Sequence, residues 1–410
     1  MMSSVDHRTL NFVFFVFLMV ISSANSLQRT LNYAFNEDCK ELCKNTNVRL
    51  AHVTAIGPND TLHYLWDFTK NPSILIAVTS PAAKLVIDWH KYIMRIPNSL
   101  NFTEKPIYIF GVSIERLLEF NDINDKARID EATDKNIKEL KFENFEWHYK
   151  NITSKDNFVE LYMKASKYHN PETNERRHGI IKFLMHGFGT LNHSRITPCM
   201  LHSENATQID ITLENIETER SFSKSRFAFE LLIVSDNDPN TLLEVNTKRK
   251  LDDEFTPGIF EILELSTPVI YKKSAYLQWR PVSYIKPDRD VTNSSSTVFY
   301  PIKNATTDIY FSNTNLLYMY YGENMFNILV QRMNISLGGK GDNVYKETQY
   351  ATWTFIVGYG FPPEERFSNI VIMIISIGVG LPLLILIMSG IYVCVRRRPK
   401  QPSDEFTHHR

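Results

Sequence analysis

The chain has 410 residues, and its 45 basic and 46 acidic side chains give a net charge of −1. This balance argues against nucleic-acid binding, because that function usually shows as a basic patch or stripe. Hydrophobic residues make up 43% of the chain and aromatic residues 12%, too much apolar material for a disordered or mucin-like stalk. The composition therefore predicts a folded protein with a substantial core.

The first apolar run, Leu10–Ile21, lies just after the basic residue Arg8. Its roughly dozen residues are too few for a comfortable bilayer crossing, which needs about 20. Ala24 and Ser26 then fit the small-x-small pattern of a cleavage site. Residues 1–26 are therefore predicted to be a signal peptide, and an uncleaved anchor is the alternative.

The long segment 27–369 shows the period-two alternation of apolar and polar residues that is typical of β-strands. In one clear case, Ile209, Ile211 and Leu213 alternate with polar side chains. Other segments with strand character are 62–68, 73–80, 85–89, 227–233, 259–265, 275–279 and 351–357. Many short strands predict a mainly β ectodomain with an antiparallel, sandwich-like architecture, forming one body or two lobes at 27–215 and 225–369.

The charged segment Asp125–Lys141 is the main candidate for a helix in the ectodomain. Its apolar positions, among them Ala132, Ile137 and Leu140, are sparse for the apolar stripe of a packed helix. The segment is therefore expected to form a surface helix or, alternatively, a mobile loop.

Three of the four cysteines, Cys39, Cys43 and Cys199, lie in the predicted lumenal part. In an oxidising compartment, three cysteines leave at least one unpaired within the monomer. The sequence leaves the pairing open, including a bridge from Cys39 or Cys43 to Cys199. The fourth, Cys394, lies at the cytosolic end of the predicted membrane helix, where it is either a palmitoylation site or an inert apolar side chain.

Glycosylation is predicted at N-x-S/T sequons, all of which precede the membrane segment. The eight acceptor asparagines are Asn59, Asn101, Asn151, Asn192, Asn205, Asn293, Asn304 and Asn334. Eight sequons on one side of a membrane form a consistent set and predict a surface heavily covered in glycan, which hinders proteases.

The second apolar run, residues 370–395, contains no acidic or basic side chain and is long enough to cross about 30 Å of hydrocarbon. The basic tail 396–410 follows, with a side-chain charge of +3. Basic clusters stay on the cytosolic side, so a single-pass type I topology is predicted. Ser376, Gly378 and Gly380 would let a second helix approach closely, although glycine is also simply common in membrane helices.

Catalytic signatures are missing from the sequence: it has no nucleophile elbow, no H-E-x-x-H motif and no P-loop. His186-Gly187-Phe188-Gly189 is better explained as a turn between strands than as an oxyanion loop. The twelve histidines show no i, i+4 pairing of the kind that metals use. The chain is therefore expected not to be an enzyme, and neither a cofactor site nor a metal site is predicted.

Six short segments, in order along the chain, resemble the glycosylated lysosomal membrane protein family. They read AIGPNDTLHYLW (55–66), ERLLEF (115–120), WHYKNIT (147–153), DDEFTPGIF (252–260), QWRPVSY (278–284) and GYGFPP (358–363). The resemblance implies a type I protein of the lysosomal membrane that is an accessory subunit of a major-facilitator-type transporter and protects it from lumenal proteolysis. The alternative is a receptor or adhesion glycoprotein, in the lysosome or at the plasma membrane.

The family's usual tyrosine-based sorting signal is missing, since residues 396–410 contain no tyrosine. Lysosomal delivery would then depend on a signal in the partner or on another route. This departure bears on the location of the chain and leaves the predicted topology unchanged.

The longest interval without a sequon runs from Asn205 to Asn293. A protein interface cannot hold a glycan at its centre, so this interval is a candidate surface for a partner or for a homodimer. Trp279 and Arg280 are suitable anchors by residue type. The alternative is that these residues belong to core strands.

Overall fold

A computed structural model describes residues 28–155, 157–249, 255–259, 261–305, 314–364 and 373–396. The predicted signal peptide and the tail beyond Arg396 lie outside these residues, as do parts of the DDEFTPGIF segment and the side chain of Cys394. The chain divides into two compact units, the first ending at Pro363 and the second beginning at Glu364.

The first unit is built mainly from β-strands, which range from two to 14 residues in length. In chain order they are β1 Thr30–Phe35, β2 Leu50–Ile56, β3 Thr61–Asp67, β4 Ser73–Thr79, β5 Leu85–Ile87, β6 Leu100–Phe102, β7 Tyr108–Asn121, β8 Ile137–Leu140, β9 Phe145–Lys155, β10 Phe158–Asn170, β11 Glu175–Phe188, β12 Asn192–His193, β13 Leu201–His202, β14 Ala206–Glu214, β15 Ser225–Ser235, β16 Glu244–Arg249, β17 Glu261–Ser266, β18 Ala275–Trp279, β19 Val282–Tyr284, β20 Ser294–Phe299, β21 Lys303–Asn304, β22 Leu329–Leu337 and β23 Tyr350–Tyr359. Its α-helices are α1 Trp89–Ile93, α2 Leu316–Tyr321 and α3 Tyr345–Thr348.

Two large sheets dominate this unit, and their strand pairs are antiparallel. The eleven-stranded sheet runs β1-β2-β3-β4-β7-β15-β22-β20-β19, with β8 paired to β7 and β21 to β22. The eight-stranded sheet runs β16-β17-β18-β23-β14-β11-β10-β9. The predicted antiparallel β ectodomain is confirmed, and the alternating segment around Ile211 is β14.

Both sheets combine strands that precede residues 215–225 with strands that follow them. In the larger sheet β7 pairs with β15, and in the smaller sheet β14 pairs with β23. The division into lobes 27–215 and 225–369 does not match this arrangement, because strands from both sides of residues 215–225 are neighbours in both sheets.

The strand β3 is buried along its whole length because both faces of its sheet are covered. On β3, Tyr64 and Trp66 belong to the main apolar cluster, which contains side chains of both sheets. Leu65 points to the opposite face and joins a second cluster with Trp89 of α1 and Leu317 of α2. Helices and hairpins therefore cover a sheet face that would otherwise be open to solvent.

The segment 125–141 contains no α-helix, so the expectation of a surface helix is wrong. It forms 3₁₀ turns at Ile129–Glu131 and Asp134–Asn136 and then the strand β8. Its apolar residues are too sparse for a helical stripe, whereas pairing of Leu140 with Leu117 of β7 satisfies the backbone and buries Leu140.

A disulfide joins Cys39 to Cys43, with the Cα atoms 5.6 Å apart. The short 3₁₀ turn Lys40–Cys43 brings the two sulfur atoms together. Cys199 is a half-buried free cysteine within the described chain. The bridge to Cys199 that the sequence left open is therefore not formed.

The second unit contains one apolar helix, Met373–Val393, that is long enough to cross a membrane. Ser376–Gly380 forms a single π-helical turn, and α4, Leu381–Arg396, continues the helix. Pro382 explains the wide turn, because a proline inside a helix has no N–H and its ring crowds the carbonyl four residues earlier.

Candidate functional site

The eight sequon asparagines lie at positions that a glycan can reach. Asn59, Asn101, Asn151, Asn192 and Asn304 are exposed, and Asn205, Asn293 and Asn334 are partly exposed. None of the eight is buried, in contrast to Asn71, whose N-P-S sequence is not a sequon.

Four of these asparagines lie on strands that pair with only one other described strand. They are Asn101 in β6, Asn151 in β9, Asn192 in β12 and Asn304 in β21. The free edge of such a strand presents unpaired N–H and C=O groups that can pair with another chain. A glycan at these positions would therefore cover open strand edges of the ectodomain.

Two sequon asparagines also take part in the fold. The side-chain oxygen of Asn205 accepts a hydrogen bond of 2.7 Å from Nε of Arg29. The amide nitrogen of Asn293 donates to both carboxylate oxygens of Asp288, at 3.2 and 3.0 Å. An N-linked glycan uses the amide nitrogen and leaves it one N–H, so both contacts are compatible with glycosylation.

The small residues of the membrane helix form an open surface. Ser376 and Gly378 are exposed and Gly380 is partly exposed. A methyl group added at Gly378 or Gly380 would meet no atom of the described chain within 4 Å. Docking of this face remains a prediction, and the geometry leaves room for a second helix at close range.

Trp279 and Arg280 do not lie on a surface, which corrects their interpretation as partner contacts. Trp279 is 0% exposed and packs edge-on against Trp353, with the ring centroids 6.3 Å apart. Arg280 is 2% exposed, and its Nη1 donates to the backbone oxygen of Ile259 at 2.6 Å. The reason is topological, since β18 lies between β17 and β23 inside the smaller sheet.

A chain of polar side chains crosses the first strands of the larger sheet. His52 Nε2 lies 2.9 Å from His63 Nδ1, and His63 Nε2 lies 3.0 Å from the hydroxyl of Thr79. At the outer end, Glu37 is 3.5 Å from His52 Nδ1. Burial, reinforced by the neighbouring His52, lowers the pKa of His63 to about 3. His63 is therefore neutral even in an acidic compartment.

Further histidines meet where β11 ends. His186 Nε2 lies 3.0 Å from a carboxylate oxygen of Glu160, and the ring of His202 stacks on Phe188 with 3.3 Å between centroids. Burial lowers the pKa of His202 to about 3, and burial also lowers that of His186 although Glu160 opposes it. Within the described residues no group of three or more His, Cys, Asp or Glu side chains could hold a metal ion.

Buried ion pairs tie together segments that are far apart in sequence. Arg226 is 1% exposed and contacts the carboxylates of Asp122, Asp125 and Asp342 at 2.8, 2.6 and 2.5 Å. Sequence reasoning missed this cluster because its members lie far apart in the chain, Arg226 being 104 residues from Asp122 and Asp342 lying further on still. It also missed the His52–His63 pair, whose only signal is a histidine at a polar position on each of two consecutive strands.

Comparison with known proteins gives consistent matches. The profile described as "Glycosylated lysosomal membrane protein" matches residues 49–400. Glycosylated lysosomal membrane protein B of Xenopus laevis is 26% identical over 368 residues, covering 87% of this chain and 89% of that protein. The Danio rerio protein is 27% identical, covering 86% of each chain, and the Homo sapiens protein is 23% identical, covering 85% and 84%.

Proposed function

Because this chain belongs to the glycosylated lysosomal membrane protein family and is a glycoprotein of the lysosomal membrane, we propose that it is a non-enzymatic accessory subunit. In this role it binds a multi-pass lysosomal transporter of the major-facilitator type and shields it from lumenal proteases. The observation that carries the proposal is the placement of sequons on the edges of a compact ectodomain.

A shielding subunit has to survive the proteases that it keeps away from its partner. Proteases cleave extended, locally unfolded chain, so a body of paired strands resists them. Glycans at Asn101, Asn151, Asn192 and Asn304 would cover strands that have only one partner strand in the fold. The ectodomain thus has the properties that this role requires.

The membrane helix supplies a means of attachment to the transporter. Between helices in lipid there is little hydrophobic drive, so association depends on close packing and on interhelical hydrogen bonds. The Ser376–Gly380 turn offers both, because Gly378 has no side chain and the hydroxyl of Ser376 can donate. Because this turn is itself π-helical, it also changes how the helix presents this face.

The decisive experiment is purification of the full-length protein from detergent, followed by mass spectrometry of the co-purifying proteins. We expect one multi-pass transporter in stoichiometric amount. Gly378→Ile should reduce its recovery, because the added side chain would separate the two helices. Gly390→Ile is the matched control, since Gly390 belongs to the same helix, also has open space around it and lies about three turns further on.

Recovery of no multi-pass protein would overturn the proposal and favour a receptor or adhesion role. Equal recovery with Gly378→Ile and Gly390→Ile would remove the helix from the interface. Protection is measured separately, by the half-life of the captured transporter in a lysosomal cysteine protease with and without this subunit. An unchanged half-life would contradict the shielding role.

A further inference from the structure

A cavity of about 450 Å³ lies at one end of the smaller sheet. Its lining comes from β9, β10, the end of β11 and the two-stranded β12–β13 hairpin. Its size falls in the range of cavities that hold small ligands, about 300–1,000 Å³. No part of the proposed function uses it.

Aromatic rings form one wall of this cavity. Phe188 and His202 stack nearly parallel, with 4° between their planes, and the half-buried ring of Phe158 lies 4.9 Å from His186. Polar side chains, among them Ser154, line the rest. A ligand with one apolar face and several hydroxyl groups matches this mixture.

One buried polar atom in this wall lacks a partner. His202 is 4% exposed, and its Nδ1 makes no hydrogen bond with any of the described residues. A buried nitrogen in that condition is destabilising, because it has lost water without gaining another contact. Burial keeps the ring neutral by lowering its pKa to about 3, so this requirement persists at acidic pH.

The acceptor of a predicted glycan lies opposite His202 in the β12–β13 hairpin. Asn192 pairs with His202 across the β12–β13 ladder, and both residues line the cavity. Directly opposed residues in an antiparallel pair have Cβ atoms about 4.5–5.5 Å apart. The first sugar of a glycan on Asn192 therefore starts within reach of the cavity.

We propose that this cavity binds the first N-acetylglucosamine of the glycan on Asn192, with its ring against the aromatic wall and a polar group on Nδ1 of His202. The inference depends on the glycosylation that the proposed function assumes. The acetamide and hydroxyl groups of this sugar can each complete the hydrogen bonding of His202. Its apolar ring face covers the half-buried ring of Phe158, which would otherwise meet water.

The test compares Asn192→Gln with Asn151→Gln in the full-length protein, made in cells that attach high-mannose glycans. Asn151 is the matched control, because it is also exposed and also lies on a strand with a single partner, β9 at the edge of the smaller sheet. Glycopeptide mass spectrometry first establishes occupancy of both sites. Amide hydrogen exchange over residues 192–202 should become about tenfold faster in Asn192→Gln and stay unchanged in Asn151→Gln.

Trimming the wild-type protein with endoglycosidase H leaves one N-acetylglucosamine at each site, so its exchange over these residues should not change. A vacant Asn192, an exchange rate that Asn192→Gln leaves unaltered, or acceleration on trimming would each overturn the inference. None of these results depends on a transporter, so the proposed function is tested independently.

His202→Phe provides a second measurement that does not require loss of the glycan. It keeps a ring against Phe188 and removes Nδ1, so the thermal midpoint should become less sensitive to Asn192→Gln. In the double variant the two changes should therefore be non-additive. Strict additivity would show that the sugar and His202 do not interact.

Discussion

Acidification should weaken the fold through His63, and the size of the effect follows from its burial. The folded state holds this ring at a pKa of about 3, whereas an unfolded histidine titrates at 6.5. Below pH 6.5 the unfolded chain binds a proton at His63, whereas the folded chain does not. Stability from this group is therefore fully present above pH 6.5 and is lost progressively as the pH falls towards 3.

At pH 5, which is about 1.5 pH units below the pKa of the unfolded histidine, the free energy of unfolding has fallen by about 2 kcal/mol. His63→Gln removes the titrating group while keeping a polar side chain near His52 and Thr79. The variant should be less stable than wild type at pH 7.5, because the two ring contacts of 2.9 and 3.0 Å are disturbed. Its further loss between pH 7.5 and pH 5 should be smaller than that of wild type by about 2 kcal/mol.

The assay is urea unfolding of the full-length protein in detergent, followed by tryptophan fluorescence at pH 7.5, 6 and 5. His178→Gln is the matched control, because His178 is exposed. We expect the control to retain the wild-type dependence on pH. If His63→Gln retains it as well, the neutral, buried state assigned to His63 is incorrect.

Three further changes have expected outcomes that the same unfolding assay can measure. Arg226→Met should destabilise the fold by about 3–5 kcal/mol, because it leaves three carboxylates without their buried cation. Arg249→Met, at a side chain that is 84% exposed, should have little effect. Similar losses of stability in the two variants would contradict a special role for the Arg226 cluster. Gly358→Ala should cost about 1–3 kcal/mol, since its new Cβ would lie 2.4 Å from the ring of Tyr276, and Gly378→Ala, with open space, should be neutral. Cys39→Ser should cost about 2 kcal/mol by opening the short Cys39–Cys43 loop, and Cys199→Ser should cost less; the reverse order would argue against this pairing.

Sequence patterns predicted the elements whose own residues decide their structure. The alternation of Ile209, Ile211 and Leu213 was sufficient to identify β14, and the uninterrupted apolar run was sufficient to identify the membrane helix. Segment 125–141 was misjudged because its strand β8 depends on pairing with β7, a partner that local composition does not reveal.

Long-range pairing also explains the errors at the candidate site. Trp279 has the residue type of an interface anchor, and only the position of β18 between two other strands shows that it is core. Asn192 was identified as a sequon, but its position opposite His202 depends on the register of a hairpin. Residue type therefore predicted the kind of chemistry, and topology decided where it could act.

Buried groups of the ectodomain respond to pH in opposite directions. Burial lowers the pKa values of His63 and His202, so both oppose folding as the pH falls from 6.5. Burial raises the pKa values of Glu115 and Asp236, despite the hydrogen bond that Asp236 accepts from Tyr321 at 2.7 Å. These two acids bind protons more readily when folded, so their contribution is fully present below their unfolded pKa and is lost as the pH rises through the raised values.

Carboxylates whose pKa values are lowered by ion pairing also contribute to the pH dependence. The pKa of Glu219 lies below its usual value because of its hydrogen bond to Lys138, so its contribution is present above that usual value and disappears only at lower pH. At about pH 5, in an acidic lysosomal lumen, the paired carboxylate of Glu219 still stabilises the fold, and the raised pKa values of Glu115 and Asp236 act against the effect of the histidines. The net dependence on pH between 7 and 5 should therefore be smaller than the histidines alone would give, which suits a protein that has to persist in that lumen.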